Sequence, residues 1–130
     1  MRAAWYTDFG PANAVFEIGD HDTPSAGDGQ VLVRVHASGI NPLDVKRRDG
    51  GRGPMMADRM IPHFDGAGVV EAVGAGVDAA RIGDRVWLYE GHLRRAEGTA
   101  AEYISIDATR ANPLPETHSF AEGACLGIPA

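Results

Sequence analysis

Few residues of this 130-residue chain have the type and spacing to do chemistry. The most suggestive are Asn41-Pro42-Leu43-Asp44, an amide and a carboxylate three positions apart, followed by Lys46, Arg47 and Arg48. This spacing fits the start of a short helix, with Asn41 as N-cap, Pro42 at the first helical position and Asp44 at the third. Asp44 would favour the positive end of the helix and pair with Arg47 or Arg48 at i+3 or i+4. Capping alone accounts for both residues. In a second reading, compatible with the first, Asn41 and Asp44 stand at the mouth of a cleft and orient a cofactor ring or a carbonyl substrate. Five histidines, His21, His36, His63, His92 and His118, have no partner at metal-ligand spacing, and neither has Cys125. With no neighbouring cation, Cys125 reads as a small buried hydrophobe. No Gly-x-Ser-x-Gly elbow is present. Gly66-Ala67-Gly68-Val69-Val70-Glu71 starts like a dinucleotide fingerprint, but Glu71 stands where glycine is required and no helix follows. The two glycines read instead as close backbone packing or a bulge in a strand.

The elements that must position these residues are mostly strands. Residues 30–37 alternate, with Val31, Val33 and Val35 on one face and Arg34 and His36 on the other, the pattern of a half-buried antiparallel strand. His36 is therefore expected to be exposed or to line a pocket. Further strands are expected over 2–7, 15–18, 67–73, 85–89 and 99–106, with turns at Gly27-Asp28-Gly29, Gly74-Ala75-Gly76 and Gly83-Asp84. Two short helices are expected. One opens at Asn41 and ends by Gly50-Gly51, and the other opens at the Ser119-x-x-Glu122 capping box. Residues 50–60 are expected to form the most mobile loop.

Composition narrows the function classes. Length points to one domain, 1–130. The charge balance, 12 basic against 18 acidic residues, opposes nucleic-acid binding, which needs a basic stripe. No apolar run is long enough for a membrane span, and Met1–Tyr6 lacks the pattern of a signal peptide. A single cysteine excludes an internal disulfide and points to a reducing, cytoplasmic setting. With 17 glycines and 8 prolines, the chain suggests short strands and tight turns in a barrel or sandwich.

Five stretches in this order resemble a known family: Val31 to Asp44, Ile61 to Val70, Gly83-Asp84-Arg85-Val86, Gly98 to Tyr103, and Ala124 to Ala130. The chain resembles the N-terminal, GroES-like catalytic domain of the medium-chain dehydrogenases/reductases. Within them it is most similar to the zinc-independent quinone oxidoreductase (zeta-crystallin-like) branch. The fold this implies is mainly β, a partly open GroES-like barrel with a few short helices, cut off at the junction with a cofactor-binding domain. The Rossmann domain of such enzymes is absent from these residues. In the zinc-dependent alcohol dehydrogenases, a cysteine ligand stands at the position of Asn41 and a histidine ligand at that of Phe64. The resemblance therefore implies no zinc and no other metal.

The implied reaction is hydride transfer from NADPH to a quinone or enone in the cleft between two domains. By resemblance, Asn41 and Asp44 are the catalytic and nicotinamide-side residues, Ile128 and Pro129 also face the cofactor, and Phe64, Lys46 and Arg52 line the substrate pocket. Lys46 and Arg52 stand where the branch often has tyrosine. There they would favour an anionic substrate or a cofactor phosphate, or act as solvated loop charges. Expected partners are the small-molecule acceptor, the missing Rossmann domain in cis or in trans, and a second copy in a homodimer. Without the cofactor domain, the isolated chain is expected to be inactive. The rival readings are a stand-alone GroES-like binding or scaffold module, one half of a split reductase, and a co-chaperonin ring.

Overall fold

The computed structural model describes residues 1–129; Ala130, the last residue of the C-terminal matching stretch, lies outside them. The chain starts with an antiparallel hairpin in which β1 (Arg2–Tyr6) pairs with β2 (Phe16–Asp20). A one-turn helix, α1 (Ala12–Val15), follows Pro11 in the connection and takes Val15 out of the strand expected over 15–18. Next come β3 (Gln30–Gly39), helix α2 (Pro42–Arg48), β4 (Asp65–Val73), β5 (Arg85–Leu88), β6 (Tyr103–Asp107), β7 (Ala111–Pro113) and the one-turn helix α3 (Phe120–Gly123). The last five strands form a sheet in the order β6-β3-β4-β5-β7, antiparallel throughout. The architecture is mainly β, as expected. Among the described residues the sheet does not close into a barrel; the hairpin joins the rest through single bridges, Ala3 to Ala101 and Tyr6 to Met60.

The alternation in β3 explains the core. Val31 and Val33 point inward with Val70, Val86, Leu88, Ile104 and Ile106, and all seven are buried. Each such side chain contributes about 2 kcal/mol relative to exposure. Arg34 and His36 point outward and are exposed. The ladder between β3 and β4 has two irregularities, one between Leu32 and Val33 and one between Val35 and Ala37. The second lies beside Gly68, which is paired with Val35 and pressed against the carbonyl of Arg34, where a Cβ would collide with that oxygen. The close-packing and bulge reading of these glycines is therefore correct.

Several expectations need correction. Residues 99–102 do not belong to the strand expected over 99–106. Thr99 N–H donates to His63 O at 3.0 Å and Ala100 N–H to Pro62 O at 3.1 Å, so a loop takes the bonds that a ladder would have used. Tyr89 falls outside β5. The edge strand β7 has no signal in the sequence, and its Pro113 is tolerated because an edge position needs no donor on the open side. Residues 50–60 hold turns and bends, but their far end is anchored: Met60 is buried and exchanges two bonds with Tyr6, at 2.9 and 3.0 Å. Cys125 is exposed rather than buried. It follows a helix of one turn that lays Ala124 inward, which leaves the next side chain facing out.

The C-terminal segment is docked in two ways. Ser119 and Glu122 close the expected capping box, with Glu122 N–H donating to Ser119 Oγ (3.1 Å) and Ser119 N–H to Glu122 Oε2 (2.7 Å). Phe120 stacks on His36 at 4.3 Å and lies under the Arg85 guanidinium at 4.5 Å. The Ala124 carbonyl then rests on Gly39 at the end of β3, a contact that any Cβ would prevent. Among the described residues no helix is long and apolar enough to cross a membrane.

Candidate active site

The end of β3 delivers Asn41 to the start of α2 with extended backbone (φ −122°, ψ 159°), and Pro42 then sets the first helical turn. The helix is capped from the Asp44 side, where Oδ2 accepts the Asn41 N–H at 2.7 Å. The side-chain NH2 of Asn41 turns away from the helix and donates to Asp65 Oδ2 at 2.8 Å. The other oxygen of Asp65 accepts the Ile128 N–H at 2.9 Å. One buried carboxylate thus ties the α2 entry to the C-terminal segment. Asn41, Asp44 and Asp65 are 8%, 4% and 1% exposed.

Asp44 does not form the expected ion pair with Arg47 or Arg48. Its carboxylate is buried towards Asn41, while both guanidiniums go to aromatic rings and backbone. Arg47 lies over Phe64 at 5.3 Å, and Arg48 lies over Phe16 and donates to Gly10 O at 3.1 Å. The Phe64 N–H also lies near the Asp44 carboxylate, whose Oδ1 is buried and makes no well-formed hydrogen bond. Burial, reinforced by the nearby charge of Asp65 and opposed by the Asn41 N–H, holds the Asp44 carboxyl above the ordinary range.

Phe64 is buried beside this pair as an apolar wall. Edge-on to it, at 5.4 Å between ring centres, is His92, which is 1% exposed with neither ring nitrogen bonded. Burial above all, helped by the charges of Arg47 and Arg95, pushes the His92 imidazole down to about 3. The unfolded chain therefore binds a proton near pH 6.5 that the folded chain refuses until about pH 3. The sign follows: stability is full above pH 6.5 and falls as pH drops through that window. From this one group the loss between pH 7 and pH 5 is about 2 kcal/mol. Urea unfolding at the two pH values should show it, and the His92→Gln variant should lose about 2 kcal/mol less. Equal losses in the two proteins would contradict the assignment.

A hydroxyl chain braces the other side of this loop. Thr99 Oγ1 donates to Asp65 O at 2.6 Å, so Ser38 Oγ donates to Thr99 Oγ1 at 2.7 Å and His63 Nδ1–H to Ser38 Oγ at 2.9 Å. Burial, with Arg48 nearby, lowers the His63 imidazole.

The structure thus brings together Asn41, Asp44, Phe64 and the backbone of Ile128. It leaves Lys46, Arg52 and Pro129 exposed. Sequence reasoning gave Asp65 and His92 no role at the site and read Arg47 only as an ion-pair partner of Asp44. Asp65 had a signal, since an acidic residue opening a buried apolar stretch must have partners. His92 had none. Among the described residues no three His, Cys, Asp or Glu side chains gather in a way that could hold a metal ion.

Comparisons with known proteins place the domain that carries this site in a family. The family model described as "Alcohol dehydrogenase GroES-like domain" matches residues 27–116. A rat quinone oxidoreductase is 39% identical over 130 residues, covering 99% of this chain and 38% of its own length. The solved quinone oxidoreductase of Coxiella burnetii superposes with a TM-score of 0.86 at 29% identity, over 98% of this chain and 41% of that one. A mycobacterial protein solved in complex with NADPH superposes at 0.78 with 28% identity, over 92% of this chain and 35% of that one. The chain therefore spans about two fifths of the length of the relatives it matches.

Proposed function

This chain belongs to the alcohol dehydrogenase GroES-like domain family of the medium-chain dehydrogenases/reductases, and on that premise we propose that it is the catalytic-domain portion of an NADPH-dependent quinone or enone oxidoreductase working without zinc. The observation that carries the reading is the buried, unpartnered Oδ1 of Asp44 beside Asn41. A buried acceptor without a donor is costly, and a carboxamide NH2 or a ribose hydroxyl of the dinucleotide is a donor of the right kind. NADPH supplies a hydride.

The residues of this chain position and enclose. Asp65 fixes the Asn41 amide against the nicotinamide side, and Asp44 offers its free oxygen. Phe64 gives the acceptor an apolar wall, and the Arg47 guanidinium over it adds positive charge where the reduced acceptor gains electron density. Lys46 and Arg52 stand on the substrate side as exposed cations. Ile128, held on Asp65 through its N–H, leads with Pro129 towards the cofactor. Neither Asn41 nor Asp44 is assigned as proton donor, and solvent supplies the proton. The nucleotide-binding domain, in cis or in trans, must provide most of the cofactor affinity, so the chain alone turns nothing over.

The test uses a fusion in which this chain replaces the matching 38% of the rat relative. Asn41→Ala should lower kcat for NADPH-dependent quinone reduction by about 10- to 100-fold at a temperature where circular dichroism shows the variant folded. Some loss of Tm accompanies it, because Asp65 loses a donor. A variant that melts earlier yet turns over at the parent rate would reduce Asn41 to a structural residue.

A further inference from the structure

His92 presents a chemical problem that the roles above do not solve. Its side chain is almost fully buried, and both ring nitrogens lack a partner. Buried polar atoms are nearly always paired, and an idle position here would be served better by an apolar residue. The backbone around it is also held in an unfavourable form. Glu90 and Arg94, on either side, adopt left-handed φ values of 53° and 55° without being glycine. Such conformations persist only where the surroundings enforce them, and they cluster at working sites. Two backbone bonds hold this turn: Gly91 N–H donates to Phe64 O at 2.9 Å, and Leu93 N–H donates to Glu90 O at 3.0 Å. The loop is pinned to the residue whose ring packs edge-on to the imidazole.

We propose that the N–H of His92 is the hydrogen-bond donor for the carbonyl oxygen of the acceptor, presented beside Phe64, whose ring packs edge-on to the imidazole. This rests on the oxidoreductase reading above. A neutral imidazole carries one N–H, so the group can donate without taking up a proton. Arg47 lies against the same ring, so the oxygen that gains charge on reduction meets a donor and a cation at one wall. The role is a hydrogen bond and not a proton transfer.

Two measurements test it, with tetramethyl-1,4-benzoquinone as probe because the exposed Cys125 thiol would add to an unsubstituted quinone. In the fusion, His92→Leu should lower kcat/KM for the quinone by 30-fold or more and leave NADPH affinity unchanged. His92→Gln, which keeps a donor, should recover most of the loss. In the 130-residue chain, the His92 ring-nitrogen NMR signals should shift as the quinone is added. A kcat/KM for His92→Leu within threefold of the parent, or ring signals that stay still, would overturn the proposal. If the parent fusion reduces no quinone but the ring signals shift, the reaction assigned above fails and the oxygen site stands. Turnover with unmoved ring signals sinks the site and leaves the reaction.

Discussion

Replacing Asp65 by alanine should lower stability by about 3 kcal/mol and Tm by roughly 10 °C. The carboxylate is buried and accepts from the Asn41 side-chain NH2 and the Ile128 N–H. Alanine accepts neither bond, and both donors stay buried or half-buried. Hydrogen bonds to a charged acceptor are worth more than neutral ones, and stranding a donor adds its own desolvation penalty. Asp65→Asn should recover only part of the loss, because its amide NH2 faces one of the two donors. The same change frees the C-terminal segment from the α2 entry. Turnover in the fusion should therefore fall by more than the folded fraction does. Thermal unfolding and kcat measured on the same preparations separate the two effects, and a stable, fully active Asp65→Ala would refute both.

Gly68→Ala should be at least as damaging, with a loss of about 3 kcal/mol or more. The new methyl would sit on the Arg34 carbonyl oxygen, which belongs to the backbone of the neighbouring strand, and against Val33 Cγ1 at 3.1 Å. A flexible side chain could move away, but the backbone of β3 cannot shift without opening its ladder to both β4 and β6. Gly76→Ala is the control. Its φ of +82° imposes strain, but no atom lies within 4 Å of the added carbon, so the loss should be about 1 kcal/mol. Urea unfolding of the two variants decides the matter. Similar midpoints would mean that the bulged ladder yields more easily than close backbone packing allows.

Local signals carried the sequence reading furthest. The N-cap geometry of Asn41-Pro42-Leu43-Asp44 and the Ser119–Glu122 box are decided within one helical turn, and both are found where the spacing puts them. The alternation of Val31, Val33 and Val35 likewise marks the core face of β3, although Leu32 on the other face is buried too. Contacts between distant segments were harder to read. The Asn41 amide was open to capping or to a second role, and its partner Asp65 lies 24 residues away. Residues 99–102 looked like strand by composition, but the Thr99 and Ala100 amides go to His63 and Pro62, and the Glu102 amide goes to Arg2 of β1. Cys125 was read as buried because no cation stands beside it, but it follows a one-turn helix that lays Ala124 inward and leaves the thiol exposed. His92 packs against Phe64, 28 positions earlier, and no periodicity links the two.

The most direct test of the account is NADPH oxidation coupled to quinone reduction, measured side by side for the isolated chain and for the fusion. Turnover is expected in the fusion, a fall of about 10- to 100-fold on Asn41→Ala, and none in the isolated chain. A fusion that folds and binds NADPH but reduces no quinone, or an isolated chain that does so unaided, would contradict it.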